Sequence, residues 1–333
     1  MLRLVMFGTG GFALSTFRAL FEMPHEVVGL VTQPDRVGRG HHQHINPLKE
    51  LATERGIPVF QPDKANLPEA IAMLRSFEAD LFVVAAYGQI LSAELLGIPR
   101  LGAINVHASL LPKYRGAAPI QHAILNGEAE TGITIFQIEP KLDAGPILAI
   151  DKLTIGAKEK YGELEVRLAE LAVPLTQRVI QQLADGTARA LVQDASQVTK
   201  ASRFKKSDGE VPWHKTSHLV GCHVRGVQPW PKPSATLEMA DWITLRLLIL
   251  DVESRDRAID GDVGTVEVID NKQLFVKTGD GAVEVLELQS DGKRAMATAE
   301  FLRGHSVQSA ASQDRLKALK RLRGLAISTS TVQ

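Results

Sequence analysis

A single cysteine, Cys222, stands in 333 residues. It excludes an internal disulfide and a cysteine-based metal cluster, and it fits a reducing compartment. Net charge is missing as well. The 38 basic side chains balance 38 acidic ones, so the whole chain announces neither a nucleic-acid binder nor a binder of acidic ligands. Divided after residue 196, it tilts only slightly, with 20 basic and 17 acidic side chains in the second part against 18 and 21 in the first. No apolar run is long enough to span a bilayer, and the opening "MLRLVMFGTGG" reaches glycine after too few apolar residues for a signal peptide. A soluble, cytoplasmic protein with no membrane partner is expected. Long repeats and low-complexity tracts are absent too.

What is present is enough apolar material, 44% against 23% charged, to bury a full core in a chain longer than one typical domain. The first half alternates short runs rich in Val, Leu and Ile with helical stretches: "LRLVMF" (2–7), "EVVGLVT" (26–32), "LFVVAA" (81–86) and "GAINVH" (102–107). Continuous apolar strands separated by helices predict an α/β fold, a doubly wound and mainly parallel sheet covered on both faces. Residues 1–188 form this domain. The polar stretch 189–208 reads as a linker. Over 209–308, "ITLRLLILDV", "GTVEVID", "QLFVKTG" and "AVEVLEL" follow one another at turn-like intervals, which indicates a small antiparallel β-barrel. Residues 309–333 make a basic tail, in which Leu316, Leu319 and Leu322 have helical spacing.

The turn "GTGGFA" satisfies G-x-G-x-x-A through Gly8, Gly10 and Ala13. A dinucleotide enzyme would also need an acid at the end of the second strand. Thr32 and Gln33 stand there instead, so a tight strand-to-helix turn is the better reading. His41, His42 and His44 lie in a Gly-rich loop without helical i, i+4 spacing, which argues against a metal. Asn105 and His107 differ in their company, since two residues apart on a strand they project to one face. In the loop "EPKLDAG", Asp143 precedes a small residue and a glycine, which would let backbone approach a ligand closely. Carboxylate, imidazole and carboxamide together suit acyl-type transfer: the imidazole relays a proton, the carboxylate stabilises its charged form, and the carboxamide donates to an oxyanion. Ser109 is one candidate nucleophile. A substrate amine is the other.

"NVHASLLPKYRGAAPI" (105–120) and "TGITIFQIEPKLDAGPIL" (131–148) resemble the signature of the formyltransferases that use 10-formyltetrahydrofolate, and "VTQPDRVGRG", "VVAAYGQIL", "VRGVQPWP" and "GKRAMATAEFLRG" extend the likeness nearly end to end. The resemblance implies a Rossmann-like transfer domain followed by an oligonucleotide-binding-type (OB-like) barrel that helps hold tRNA. It implies Asn105, His107 and Asp143 as the catalytic set. The folate site would be lined by Ala86, Tyr87, Gly88, Gln89, Ile90, Leu91, Ser109, Leu110, Leu111 and Pro112. Arg36, Arg39 and Lys206 would contact tRNA. The formyl group would pass from 10-formyltetrahydrofolate, a co-substrate, to the α-amine of methionine on initiator methionyl-tRNA. No metal is required, because the donor is already activated and the amine is the nucleophile. A monomer is expected.

Where the family loop commonly carries lysines, this chain has "GRGHHQH", so its grip on phosphate at neutral pH is expected to be weaker. Two rivals share the signature. One is a folate-dependent enzyme acting on a small amine, a glycinamide ribonucleotide or an amino sugar nucleotide. The other is a non-catalytic RNA-binding protein that retains the scaffold.

Overall fold

The computed structural model describes residues 1–35, 46–238, 244–304 and 321–323. The chain forms two compact units, one comprising Met1–Ile120, Ala129–Ile155 and Glu163–Arg203, the other Gln121–Glu128, Gly156–Gly162 and Phe204–Gln333. Arg36, Arg39, His41, His42 and His44 lie outside the described residues.

The first unit opens with β1 (Arg3–Gly8), α1 (Gly11–Leu20), β2 (Glu26–Val31), α2 (Pro47–Glu54), β3 (Val59–Phe60), α3 (Pro68–Ser76), β4 (Leu81–Ala85), α4 (Ala93–Leu96) and β5 (Ala103–His107). It continues through β6 (Arg115–Gly116), α5 (Pro119–Leu125), β7 (Glu130–Gln137), β8 (Ile147–Thr154), α6 (Tyr161–Ala184) and β9 (Lys200–Ala201), with Gln121–Leu125 of α5 and the first two residues of α6 counted in the other unit. The main sheet has the order β3-β2-β1-β4-β5-β7-β8. Its first five strands are parallel, and β7 and β8 join antiparallel. Strands β1, β2 and β4 are buried along almost their whole length, as expected where both faces of a sheet are covered. The chain steps outward from β1 to β3 and then returns to β4 on the other side of β1. That reversal falls between β1 and β4, and in such sheets ligands bind at the carboxyl ends of the strands beside it.

The "GTGG" turn is steric in origin. A Cβ on Gly8 would lie 2.9 Å from the Ala13 Cβ and 3.1 Å from the Ala85 carbonyl oxygen, and Gly10 has φ 79°. The place of a ribose-binding acid is filled by neutral groups, since Asn46 donates to the Thr32 hydroxyl at 2.8 Å and Thr32 lies 3.3 Å from the Thr9 hydroxyl.

The expected linker is fastened to the first unit up to Arg203. Leu191 pairs with Ile147, and β9 runs parallel to β6. In the second unit, α7 (Ser217–Gly226) is followed by β10 (Ser234–Glu238), β11 (Thr244–Arg255), β12 (Val266–Ile269), β13 (Gln273–Lys277), β14 (Ala282–Ser290), β15 (Ala295–Ala297), α8 (Thr298–Gly304) and β16 (Arg321–Arg323). These strands form an antiparallel sheet of order β12-β13-β14-β11-β10-β16, with β15 on β14. Among the described residues no pairing joins β12 to β16. Trp213, Val220 and Val224 pack with Leu247, Ile249, Leu274, Val285 and Phe301 in its core. Of the tail, expected to be helical or frayed, Arg321–Arg323 is a strand against β10; the rest lies outside the described residues.

Candidate active site

Strand β5 carries Asn105 and His107 to one face at its carboxyl end, and in register Asn105 stands opposite Phe136 and His107 opposite Thr134 on β7. His107 is only 5% exposed. Its Nε2 lies 3.0 Å from the Tyr114 carbonyl oxygen. A carbonyl can only accept, so the hydrogen sits on Nε2 and the Nδ1 lone pair is left over. That Nδ1 faces Asp143, with Oδ2 4.0 Å away. This is too long for a direct hydrogen bond and short enough for strong electrostatic coupling in a buried site. Burial pushes the His107 pKa below the ordinary imidazole value, against the opposing influence of the Asp143 charge and the Tyr114 carbonyl.

Asp143 sits in the turn between β7 and β8 with φ 47°. Its Oδ2 accepts from the Gly116 backbone N–H at 2.7 Å, which fixes the carboxylate beside the imidazole. Gly145 does allow a close backbone approach, but to the chain itself: a Cβ there would run into the Gln137 carbonyl oxygen. The Asn105 carboxamide is half-buried and has no side-chain partner within the described protein. Ser109 is fully buried, with its hydroxyl donated to the Lys113 carbonyl at 2.7 Å. It has no route to a substrate, so the serine-nucleophile alternative falls.

The segment 86–91 leaves the carboxyl end of β4 through two left-handed residues, Ala86 (φ 50°) and Gly88 (φ 84°). Side-chain hydrogen bonds tie it to the neighbouring chain. Gln33 donates to the Tyr87 carbonyl and Asn66 to the Ile90 carbonyl, both at 2.8 Å, while the Gln89 side-chain oxygen accepts from the Ala65 N–H at 2.8 Å. Ala86, Gly88 and Ile90 stay exposed; Tyr87 and Leu91 turn inward. In "SLLP", Ser109 and Leu111 are buried and Leu110 and Pro112 are partly exposed. Lys206 is exposed on a short 3-10 turn, Lys206–Gly209, in the second unit. Among the described residues no group of three or more His, Cys, Asp or Glu is placed to hold a metal, and no helix is long and apolar enough to cross a membrane.

Sequence reasoning missed Tyr114, Gly116, Gln193 and Thr199, all bound to the site's polar groups or to their neighbours. Tyr114 and Gly116 at least lie in the quoted "KYRG" run. Gln193 and Thr199 carry no signal within a polar stretch.

Comparison with known proteins finds a match to the formyl transferase model over residues 2–180 and to the formyl transferase C-terminal domain model over residues 203–306. A methionyl-tRNA formyltransferase of Methylococcus capsulatus is 42% identical over 92% of this chain and 98% of its own length. That of Desulfotalea psychrophila is 40% identical over 92% of this chain and 94% of its own. Among solved structures, an N-formyltransferase from Helicobacter canadensis in complex with folinic acid and dTDP-3-aminofucose aligns with TM-score 0.62 at 17% identity, covering 87% of this chain and all of that one. At that identity the likeness speaks for the fold.

Proposed function

The chain belongs to the formyl transferase family, with the methionyl-tRNA formyltransferases, and from that premise we propose that it transfers the formyl group of 10-formyltetrahydrofolate to the α-amine of methionine on initiator methionyl-tRNA, giving N-formylmethionyl-tRNA for translation initiation. The observation that carries the chemistry is the arrangement at the end of β5: a carboxamide without a side-chain partner among the described residues, a buried imidazole whose Nδ1 is not hydrogen-bonded among them, and a carboxylate 4.0 Å from that nitrogen.

10-Formyltetrahydrofolate supplies the formyl group as an activated amide on N10. The exposed backbone of 86–91 and the partly exposed Leu110 and Pro112 fit a flat donor, and hold it. Asn105 donates its carboxamide hydrogens to the formyl oxygen as that oxygen gains charge during attack by the amine. His107 enters uncharged, because burial holds its pKa down. Its Nδ1 takes the proton released by the attacking amine. The imidazolium then lies between the Tyr114 carbonyl and the Asp143 carboxylate, and Nδ1 returns the proton to N10 as the carbon–nitrogen bond breaks. Protons balance, and no serine intermediate or metal is involved.

Arg36, Arg39 and Lys206 serve tRNA phosphates in this reading, and the protein works as a cytoplasmic monomer. The test is transfer from 10-formyltetrahydrofolate to methionyl-initiator tRNA, run beside uncharged tRNA, a glycinamide ribonucleotide and an amino sugar nucleotide, over a range of salt and with chelator-treated protein. Transfer to the charged tRNA alone is expected, with KM for tRNA rising steeply with salt. Transfer only to a small amine would overturn the acceptor. Loss of transfer that a divalent ion restores on the protein, with tRNA folding controlled, would overturn the metal-free reading.

A further inference from the structure

Both polar partners of His107 are anchored by one segment, 191–201, which composition presented as a linker. Gln193 is 8% exposed, with both ends of its carboxamide used. Its Oε1 accepts from Arg115 Nε at 3.1 Å and from Arg115 Nη2 at 2.7 Å, and its Nε2 donates to the Asp143 carbonyl at 2.9 Å and the Gly145 carbonyl at 2.8 Å. A carboxamide with every such bond directed has one orientation. It clamps the main chain from a left-handed Asp143 to Gly145, and an aspartate keeps that conformation only where its surroundings impose it.

Thr199 does the same on the other side of the imidazole. Its Oγ1 accepts from the Tyr114 N–H at 2.8 Å and its carbonyl from the Arg115 N–H at 2.9 Å. Tyr114 is left-handed too, at φ 62°, and its carbonyl is the group that holds His107 Nε2. Two residues on, β9 runs so close to β6 that a Cβ on Gly116 would meet the Ala201 carbonyl oxygen. The Gly116 N–H is the donor to Asp143 Oδ2. The segment thereby sets three things at once: the Asp143 turn, the Asp143 carboxylate and the tautomer of His107.

We propose that residues 191–201 act as a positioning strap for formyl transfer, with Gln193 and Thr199 as positioning residues that fix Asp143 and the Nε2–H tautomer of His107 without touching the reacting atoms. The proposal rests on the transfer reading above, so one of its readouts is independent of activity. In ¹⁵N-histidine-labelled, substrate-free protein, with His107 assigned against a His107→Gln variant, the wild type shows the pure Nε2–H tautomer. Thr199→Val removes the acceptor for Tyr114 and mixes the tautomers; Thr199→Ser, which keeps the hydroxyl, restores the wild-type spectrum. In transfer assays, Gln193→Met lowers kcat by about 10- to 10²-fold, the range expected when a reacting group is misplaced, and leaves both KM values within about twofold. Gln193→Glu keeps the acceptor for Arg115 but lacks the donors to Asp143 and Gly145, and stays as slow as the methionine variant.

A single wild-type tautomer in Thr199→Val together with wild-type kcat in Gln193→Glu would overturn the strap. Equal losses in Thr199→Ser and Thr199→Val would reduce the segment to a general structural role. Should Gln193→Met fail to give a cooperative melt, the exposed Thr199 pair still decides. If the wild type transfers no formyl group to any acceptor, the functional reading fails, while the His107 spectra judge the strap by themselves.

Discussion

Two histidines, one in each unit, are equally buried and chemically opposite. His107 and His223 are both 5% exposed, and burial pushes both below the ordinary imidazole pKa, His223 to about 4. At His107 one nitrogen is held by a carbonyl and the other faces a carboxylate. At His223, on α7, the Gly209 backbone and Asp208 favour the charged ring and Lys215 disfavours it, and Nε2 is buried without a partner in the described protein. Burial alone therefore does not make a proton carrier. What distinguishes His107 is that its spare nitrogen points at an anion, so a proton arriving there during turnover meets an opposite charge. The spare nitrogen of His223 is buried without a partner among the described residues, and the Asp208 charge is the weakest of the influences on that ring.

The comparison breaks most severely if Asp143 is neutralised. Asp143→Asn turns His107 into a second His223: the Gly116 N–H still finds an oxygen to donate to, but the charge that favours imidazolium is gone. Turnover is expected to fall by about 10²- to 10³-fold, as when a preorganised electrostatic partner is removed. The His107 titration should move further down, since the lost carboxylate was what raised it. Single-turnover transfer and an NMR pH titration measure the two effects. An unmoved His107 titration would show that a carboxylate at 4.0 Å is not coupled to the ring.

His223 sharpens the comparison from the other side. Its folded pKa of about 4 lies below the unfolded value of about 6.5, so the fold prefers the neutral ring. The stability tied to it is fully present above pH 6.5 and is lost as pH falls from there toward 4. The loss reaches about 3 kcal/mol at the acid end. His223→Leu should flatten that acid limb in denaturant titrations, at a cost of about 1 kcal/mol at neutral pH for the lost hydrogen bond to Gly209. Transfer activity at pH 7.5 should stay within about twofold. An acid limb as steep as in the wild type would remove His223 from the account.

How much of this is legible in sequence follows from the kind of interaction involved. Asn105 and His107 could be paired because a strand has a period of two, and Asp143 because a carboxylate stood in a loop with small residues. The central parallel strands announced themselves as continuous apolar runs. β7 carries a similar run and yet joins antiparallel, since direction is set by connections and not by composition. The strap was invisible for another reason: Gln193 and Thr199 act through side-chain bonds to distant backbone, and a polar stretch that makes such bonds has the same composition as one that makes none. The transfer of 121–128 and 156–162 to the second unit is equally a matter of long-range contacts.

Tyr87 offers the smallest change, and it asks whether an unpartnered polar group is always a cost. Its side chain is buried against Phe7, edge to face at 5.3 Å, and its hydroxyl has no partner in the described protein. Burial raises its pKa to about 12, so it is a neutral phenol at any working pH. Tyr87→Phe removes the desolvated hydroxyl and keeps the ring packing, which should stabilise the first unit by up to about 1 kcal/mol, since an unsatisfied buried hydroxyl costs about that much or more. A rise of roughly 2–4 °C in melting temperature would report it. Because the side chain turns away from the exposed backbone of 86–91, KM for the formyl donor should stay within about twofold. An increase of about fivefold or more in that KM, without a change in melting temperature, would mean that the hydroxyl is kept for the donor. Tyr87 would then stand beside His107, among buried groups whose missing partner arrives with the substrate, and apart from His223.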